Sequence, residues 1–342
     1  MARRRWGAAD LPGILVVVAA SIYLFAALLE PKAFLSHENL YVYLRADQVA
    51  REFRAGHFPQ AFPDAVDGAG FAFPRFYPPL SLWLSAWLSM VVGSTSLGVN
   101  LAFLLSVVAS GLAMYFCVVS VLRDRWLAVA ASLVYVSLPY RFVDVFVRGA
   151  LAEAWTFVWY PIVLAGLWHA AARRSFRWYL PVGVGALLVT HNITALYFLA
   201  FAAVFCVLGY AWHGWRGAWL PGLGLGLGGG LAAWFLLPQQ YYMRGVWVSD
   251  PAFMWADADH VQAHRVEPLQ LFYSLWGTRW FGESYSPNWP DQMSFELGAG
   301  ALLAAVVVLL AMRRARTSAA PGSRRLAVVG RVTIAAWVTC VL

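Results

Sequence analysis

Three short stretches carry side chains that could do chemistry together: Ser36-His37-Glu38, the run from Arg141 to Glu153, and His191-Asn192. A carboxylate such as Glu38 can take a proton from a hydroxyl, while arginines and a histidine can hold an anion where negative charge develops. Planar guanidinium groups suit phosphate oxygens in particular. Brought to one mouth, these groups describe an acid–base site with an anionic leaving group. Each stretch also has a plainer reading. Arg141, Asp144 and Arg148 stand at i,i+3 and i,i+4 spacing and could form an ion-pair ladder on an interfacial helix. His191-Asn192 could be a helix break satisfied by its own side chains, and Glu38 alone is ordinary in a wet loop. The Asn192-Ile193-Thr194 triplet matches a glycosylation sequon but lies too close to an apolar run to be used.

The elements that must position these residues are membrane spans. A chain of 342 residues that is 61% hydrophobic, 16% aromatic and 12% charged has more apolar surface than one soluble core can hide. The bilayer is its solvent, and the fold class expected is an all-α polytopic membrane protein. Runs near the ~20 residues needed to cross fall at 12–30, 97–122, 126–140, 152–171, 178–191, 193–212, 217–238 and 297–312, with a last one from about 326. That last run reaches Leu342 while still apolar, so it reads as a ninth span cut short, and residues 1–342 read as a single transmembrane domain. The segment 78–92 is short, Trp-rich and opened by Pro78-Pro79, which predicts a helix lying in the outer interface.

Charge tests that choice. With 78–92 not crossing, fifteen arginines fall on one side with only Asp10 and Asp124, and ten basic residues fall on the other with fifteen acids. The positive-inside rule then holds at every loop and places the N-terminus in the cytoplasm; counting 78–92 as a span would invert everything after it. The net charge of +8 therefore reports topology and does not point to nucleic acid. The opening MARRRW and its apolar run lack a small-residue cleavage site and read as a retained first helix. Cys117, Cys206 and Cys340 sit far apart in apolar runs, with neither disulfide nor zinc spacing. Gly224, Gly226 and Gly229 match GxGxxG formally, but no strand precedes them, and close helix packing by small residues is the expectation. His169 and His213, beside arginines, read as anchors at the inner interface.

Two outer regions are long, 31–96 and 239–296, and long loops in compact domains are usually functional. The third and fifth spans, roughly 15 and 14 residues, reach only about 21–23 Å against a core of ~30 Å. Their polar ends are expected in a cavity below the outer surface, where irregular backbone is tolerated. The late outer loop mixes His264, Arg265, Glu267, Trp276, Trp280, Glu283 and Trp289. Its aromatic faces could stack on a glycan or form an interfacial belt.

The loop SHENLYVYLRADQVAREFRAGHFP, followed by FAFPRFYPPLSLWLSAWL, resembles the first outer loop of membrane glycosyltransferases of the GT-C superfamily. The segments LVYVSLPYRFVDVFVRGALAEAW, LLVTHN and HRVEPLQLFYSLWGTRWFGESYSPNWPDQMSFELG are similar to a bacterial membrane family labelled "6-pyruvoyl-tetrahydropterin synthase-related", a label without pterin implication here because no zinc-binding histidine motif is present. The resemblance runs from about residue 34 to 300. It implies a GT-C-like helix bundle with a juxtamembrane helix and an inverting transfer of a sugar from a polyprenyl-phosphate-linked donor, in the bacterial inner membrane with the site extracytoplasmic. The acceptor would be a glycan, lipid or protein. By the same resemblance Glu38 is the first-loop base, standing where the related bacterial sequences usually read His-Asp, and Glu153 the second-loop acid, with Asp47 a rival base. No Asp-x-Asp pair accompanies Glu153, so a divalent cation stays open. Arg75, Arg148, His191 and Asn192 are assigned to the donor phosphate, and His264, Trp280 and Trp289 to the acceptor. Tyr77, Trp83 and Trp87 would form the edge along which a lipid donor enters. The competing functions are a transporter or flippase of lipid-linked sugars, which should carry ionisable residues inside its spans, and a non-catalytic scaffold of an envelope-polymer assembly.

Overall fold

The computed structural model describes residues 7–245, except 39, 64, 66 and 69, together with 284–286, 289–291, 296 and 298. Its helices are α1 (Leu11–Leu24), α2 (Tyr41–Arg54), α3 (Phe73–Phe76), α4 (Leu80–Val92), α5 (Thr95–Leu122), α6 (Arg125–Val136), α7 (Pro139–Phe142), α8 (Leu151–Arg173), α9 (Tyr179–Leu188), α10 (Asn192–His213) and α11 (Trp215–Met243), with a π-helical turn at Val143–Arg148. The chain is an all-α polytopic membrane protein. Among the described residues α5, α8, α10 and α11 are long and apolar enough to cross a bilayer, and α6 with Pro139–Arg148 makes a fifth if taken as one bent span.

The shorter elements differ from expectation for local reasons. The first run, expected at 12–30, is α1 followed by a 3-10 turn at Ala26–Leu29. The run expected at 178–191 is the ten-residue α9, ended where Thr190 Oγ1 donates back to Ala186 O at 2.6 Å. The runs expected at 297–312 and from 326 lie outside the described residues. The segment 78–92 is α4, 13 residues or ~20 Å, too short to cross as a straight helix.

Contacts divide the chain into two compact units, Met1–Val136 with Asp144–Asp257, and Ser137–Val143 with Ala258–Leu342. In the first, α5 packs on α1, α4, α6 and α8, while α11 packs on α8, α9 and α10. Ser81, Ser85 and Ser89 make a buried stripe along α4. It meets α5 so closely that a side chain at Gly98 would overlap the Ser89 backbone. The glycine-rich stretch of α11 packs as expected: side chains at Gly224 and Gly228, one turn apart, would overlap Leu180 and Val184 of α9, whereas Gly222, Gly226, Gly229 and Gly230 face open space. In the second unit, α7, a hairpin of β1 (Ser284–Ser286) and β2 (Trp289–Asp291), and Gly298 against Pro139 are described.

Hydrogen bonds define two polar ends of the first unit. At one, the buried Asp10 Oδ1 accepts from Arg125 Nε at 2.8 Å and from Tyr115 at 3.3 Å, Arg173 donates to the carbonyls of Ser120 and Val121, and Asp124 caps α6 through Leu127 N–H at 3.0 Å. At the other, Asn100 of α5 is almost fully buried. Its Nδ2 donates to Glu30 O at 2.8 Å and Lys32 O at 2.9 Å, and its Oδ1 accepts from Tyr43 of α2 at 2.9 Å. With both amide protons donated and the amide oxygen accepting, this buried side chain ties the first loop to the bundle.

Candidate active site

The site begins at the π-helical turn. Such turns widen the helix and concentrate at functional positions. After it, Gly149 adopts φ +68°, and a side chain there would overlap Ser36 of the first loop. Two backbone bonds fasten that loop to the turn, His37 N–H to Val147 O at 2.8 Å and Glu38 N–H to Arg148 O at 3.0 Å. Glu38 is thereby held next to Arg148 although 110 positions separate them in the sequence.

Arg148 Nη1 donates to Asp144 Oδ1 at 3.2 Å and to Glu153 Oε2 at 2.5 Å. Asp144 is fully buried. Glu153 stands in the first turn of α8, where the helix dipole favours a carboxylate. Glu38 Oε2 receives Arg45 Nη1 from α2 at 3.2 Å. The Arg45 guanidinium lies 4.2 Å from the centre of the Phe73 ring, Phe73 stacks on Tyr77 at 4.9 Å, and the Tyr77 ring meets His191 edge-on at 6.2 Å. Burial pushes the Tyr77 hydroxyl up to about 12; the carboxylates of Glu38 and Glu153 act in the same direction, and Arg45 and Arg148 oppose it. Tyr77 therefore stays a proton donor across the physiological range and lies within electrostatic reach of both ion pairs. His191 caps α10, its Nδ1 3.0 Å from Thr194 Oγ1. Burial lowers its pKa, Glu153 and Glu38 oppose that and Arg148 adds to it, so His191 offers a neutral N–H rather than a second cation.

Four of the expected residues thus converge: Glu38, Arg148, Glu153 and His191. Others do not join them. Asp47 is engaged by Arg51 at 2.6 Å and by Thr95 at the start of α5 at 3.2 Å. Arg75 donates to Gln60 at 2.9 Å and packs over Tyr242 of α11 at 4.9 Å. Asn192 turns its Oδ1 to Ile193 N–H at 3.0 Å. Of the expected lipid edge only Trp87 is well exposed; Trp83 stacks on Trp234 at 5.7 Å, and Tyr77 belongs to the site itself. His264 and Trp280 lie outside the described residues, as does the side chain of Trp289. The sequence does contain one Asp-x-Asp pair, Asp257-Ala258-Asp259, between 239 and 296, and it too lies outside the described residues. Among the described residues no group of three or more His, Cys, Asp or Glu gathers as a metal site. Arg45 joins the cluster without having been expected there; its signal is a basic residue on the first amphipathic helix after Glu38.

Residues 74–238 match the family model described as 6-pyruvoyl-tetrahydropterin synthase related domain, membrane protein. The match covers less than half of the chain and includes Tyr77, Arg148, Glu153 and His191, while Glu38 and Arg45 precede it. No curated protein and no solved structure matches the chain.

Proposed function

We propose that this protein is an inverting membrane glycosyltransferase, moving a sugar from a polyprenyl-phosphate-linked donor to an extracytoplasmic glycan, lipid or protein acceptor in a bacterial inner membrane. Glu38 takes the proton of the acceptor hydroxyl as that oxygen bonds to the anomeric carbon. The bond from that carbon to the phosphate oxygen breaks, and its electron pair leaves on the lipid phosphate. Arg148, with the N–H of His191 and the hydroxyl of Tyr77, faces the charge that develops there. The observation that carries this reading is the pair of backbone bonds fastening the Glu38 loop to the Arg148 turn, which sets a carboxylate beside cations at one irregular, polar end of the bundle.

The transporter reading draws less support, because the interiors of α5, α10 and α11 carry no acidic or basic residues that could serve as ion relays, and the ionisable residues of the other candidate spans gather toward their ends, Arg141, Asp144 and Arg148 in the bent span and Glu153, His169 and Arg173 in α8. Mass spectrometry of lipid-linked sugars and envelope glycans in cells with the gene, without it, and with Glu38→Gln tests the proposal. A lipid-linked sugar should accumulate, and one glycan disappear, in the last two strains alike. Unchanged lipids and glycans in all three strains would remove the glycosyltransferase reading.

A further inference from the structure

We infer that Arg45 is a positioning residue that latches the Glu38 carboxylate while the site is empty and passes to the donor phosphate on binding, freeing Glu38 to act as base. The inference rests on the reading of the site as one that takes a lipid phosphate, and it adds a reason why the base is held back until the donor arrives.

The two arginines near Tyr77 are held in contrasting ways. Arg148 bridges two carboxylates, one of them fully buried, and removing it would leave uncompensated charge inside the protein. Arg45 meets one carboxylate oxygen at 3.2 Å, with the side chains 28% and 45% exposed. A pair that wet contributes little to stability, so exchanging its anion costs little. What keeps Arg45 in place is its packing over Phe73 at 4.2 Å and Tyr41 at 5.6 Å, a contact that does not depend on which anion it meets. Glu38 meets the guanidinium through one of its two oxygens, so a phosphate that met it through two would gain a bond in the exchange. Glu38 does not leave with its partner, because its own N–H stays bonded to Arg148 O at 3.0 Å. The carboxylate is released in place, next to the phosphate that displaced it.

Binding of a synthetic polyprenyl monophosphate to the full chain in detergent, followed by tryptophan fluorescence, tests the latch. Dodecyl phosphate and inorganic phosphate separate a lipid-borne from a free phosphate, and the uncharged polyprenol is the control. Arg45→Gln should weaken polyprenyl phosphate binding about tenfold or more, with Arg45→Lys retaining part of it. Glu38→Gln, by removing the competing carboxylate, should tighten binding about two- to fivefold. In the Arg45→Gln background it should bring no gain. The same pattern with inorganic phosphate supports the latch and makes its ligand a free phosphate. If Glu38→Gln leaves affinity unchanged or weakens it, or Arg45→Gln binds as the wild type does, the latch is wrong while the donor class stands. A wild-type chain that binds none of the phosphates overturns the donor class and the latch with it.

Discussion

The two polar ends of the first unit use arginine in opposite ways. At the end that holds Asp10, Arg173 reaches the carbonyls at the C-terminus of α5, where the helix dipole and unpaired carbonyls attract a cation, and Arg125 pairs with a buried aspartate. These bonds finish regular helices. At the Glu38 end, Arg45 and Arg148 pair with carboxylates carried by a loop, a π turn and a first helical turn, and one of them lies on an aromatic ring. Similar charges at the two ends therefore have different meanings. One set secures helix ends, and the other pairs with carboxylates two of which stand on irregular backbone, where, in the proposed function, a substrate would take over a partner.

The largest effect that could break this comparison concerns orientation. The proposed topology puts Ser175, beside the first set, in the cytoplasm and His57, beyond the second, outside. In a background lacking the native cysteines, Ser175→Cys should be labelled by a membrane-impermeant maleimide only after permeabilisation, and His57→Cys in intact cells. Labelling of both in intact cells would put the two ends on the same side and remove the topological half of the contrast.

Next come two substitutions at the Glu38 end. Gly149→Ala forces a side chain into the left-handed region and against Ser36. Thermal unfolding in detergent should report a loss of about 2–4 kcal/mol, together with much of the turnover, because the Glu38 loop is displaced. Stability loss with normal turnover would show that the loop's attachment is scaffolding only. Asn100→Leu deletes three hydrogen bonds and leaves the Tyr43 hydroxyl its bond from Phe34 N–H but no acceptor at position 100. It should cost about 1–3 kcal/mol, and an unchanged melting temperature would remove Asn100 as the tether of the first loop.

The smallest effect is the pH dependence contributed by His191. Its folded pKa is lowered, so unfolding takes up a proton once the pH falls below the ordinary histidine value near 6.5. The stability contributed by the neutral ring is complete above that value and declines as the pH falls from there through the folded pKa. His191→Asn should flatten that part of the stability profile. An identical profile in the variant would mean that the ring binds protons in the folded protein as it does unfolded, so that burial does not hold it neutral; only a stability that rises as the pH falls, and is lost in the variant, would make it a second cation.

Much of the fold was legible because membrane spans are written in apolar length and their ends in charge. The short α4 followed from its two prolines and short run, and the packing of Gly224 and Gly228 from small residues one turn apart. Run length alone overstated α1 and α9, because apolar length does not register where the backbone leaves the α-helical bond pattern, as it does at Phe25 before the 3-10 turn Ala26–Leu29 and at Val189 after α9. For the site, the sequence told which end of a helix a residue occupies but not which way it faces. Arg45 and Asp47 sit two residues apart on α2, about 200° around the axis, so one meets Glu38 and the other the start of α5. That phase is set by the burial of Val42, Tyr43, Ala46, Val49 and Ala50, which a charge-based assignment did not weigh. Arg75 stands apart from the cluster for a similar reason, since its partners Gln60 and Tyr242 lie far along the sequence. Asn100, the one amide inside the apolar run of α5, is the sequence's signal of a buried polar hub.

The central claim is that chemistry belongs to the Glu38 end and not to the arginine-capped end. Turnover of a polyprenyl-phosphate-linked sugar by the purified chain should be measured for the wild type, Glu38→Gln and Arg173→Gln. The account predicts that Glu38→Gln falls by about 10²- to 10⁴-fold, roughly 3–5 kcal/mol in barrier, with an unchanged melting temperature, and that Arg173→Gln keeps wild-type turnover. Full activity in Glu38→Gln with loss in Arg173→Gln would contradict it.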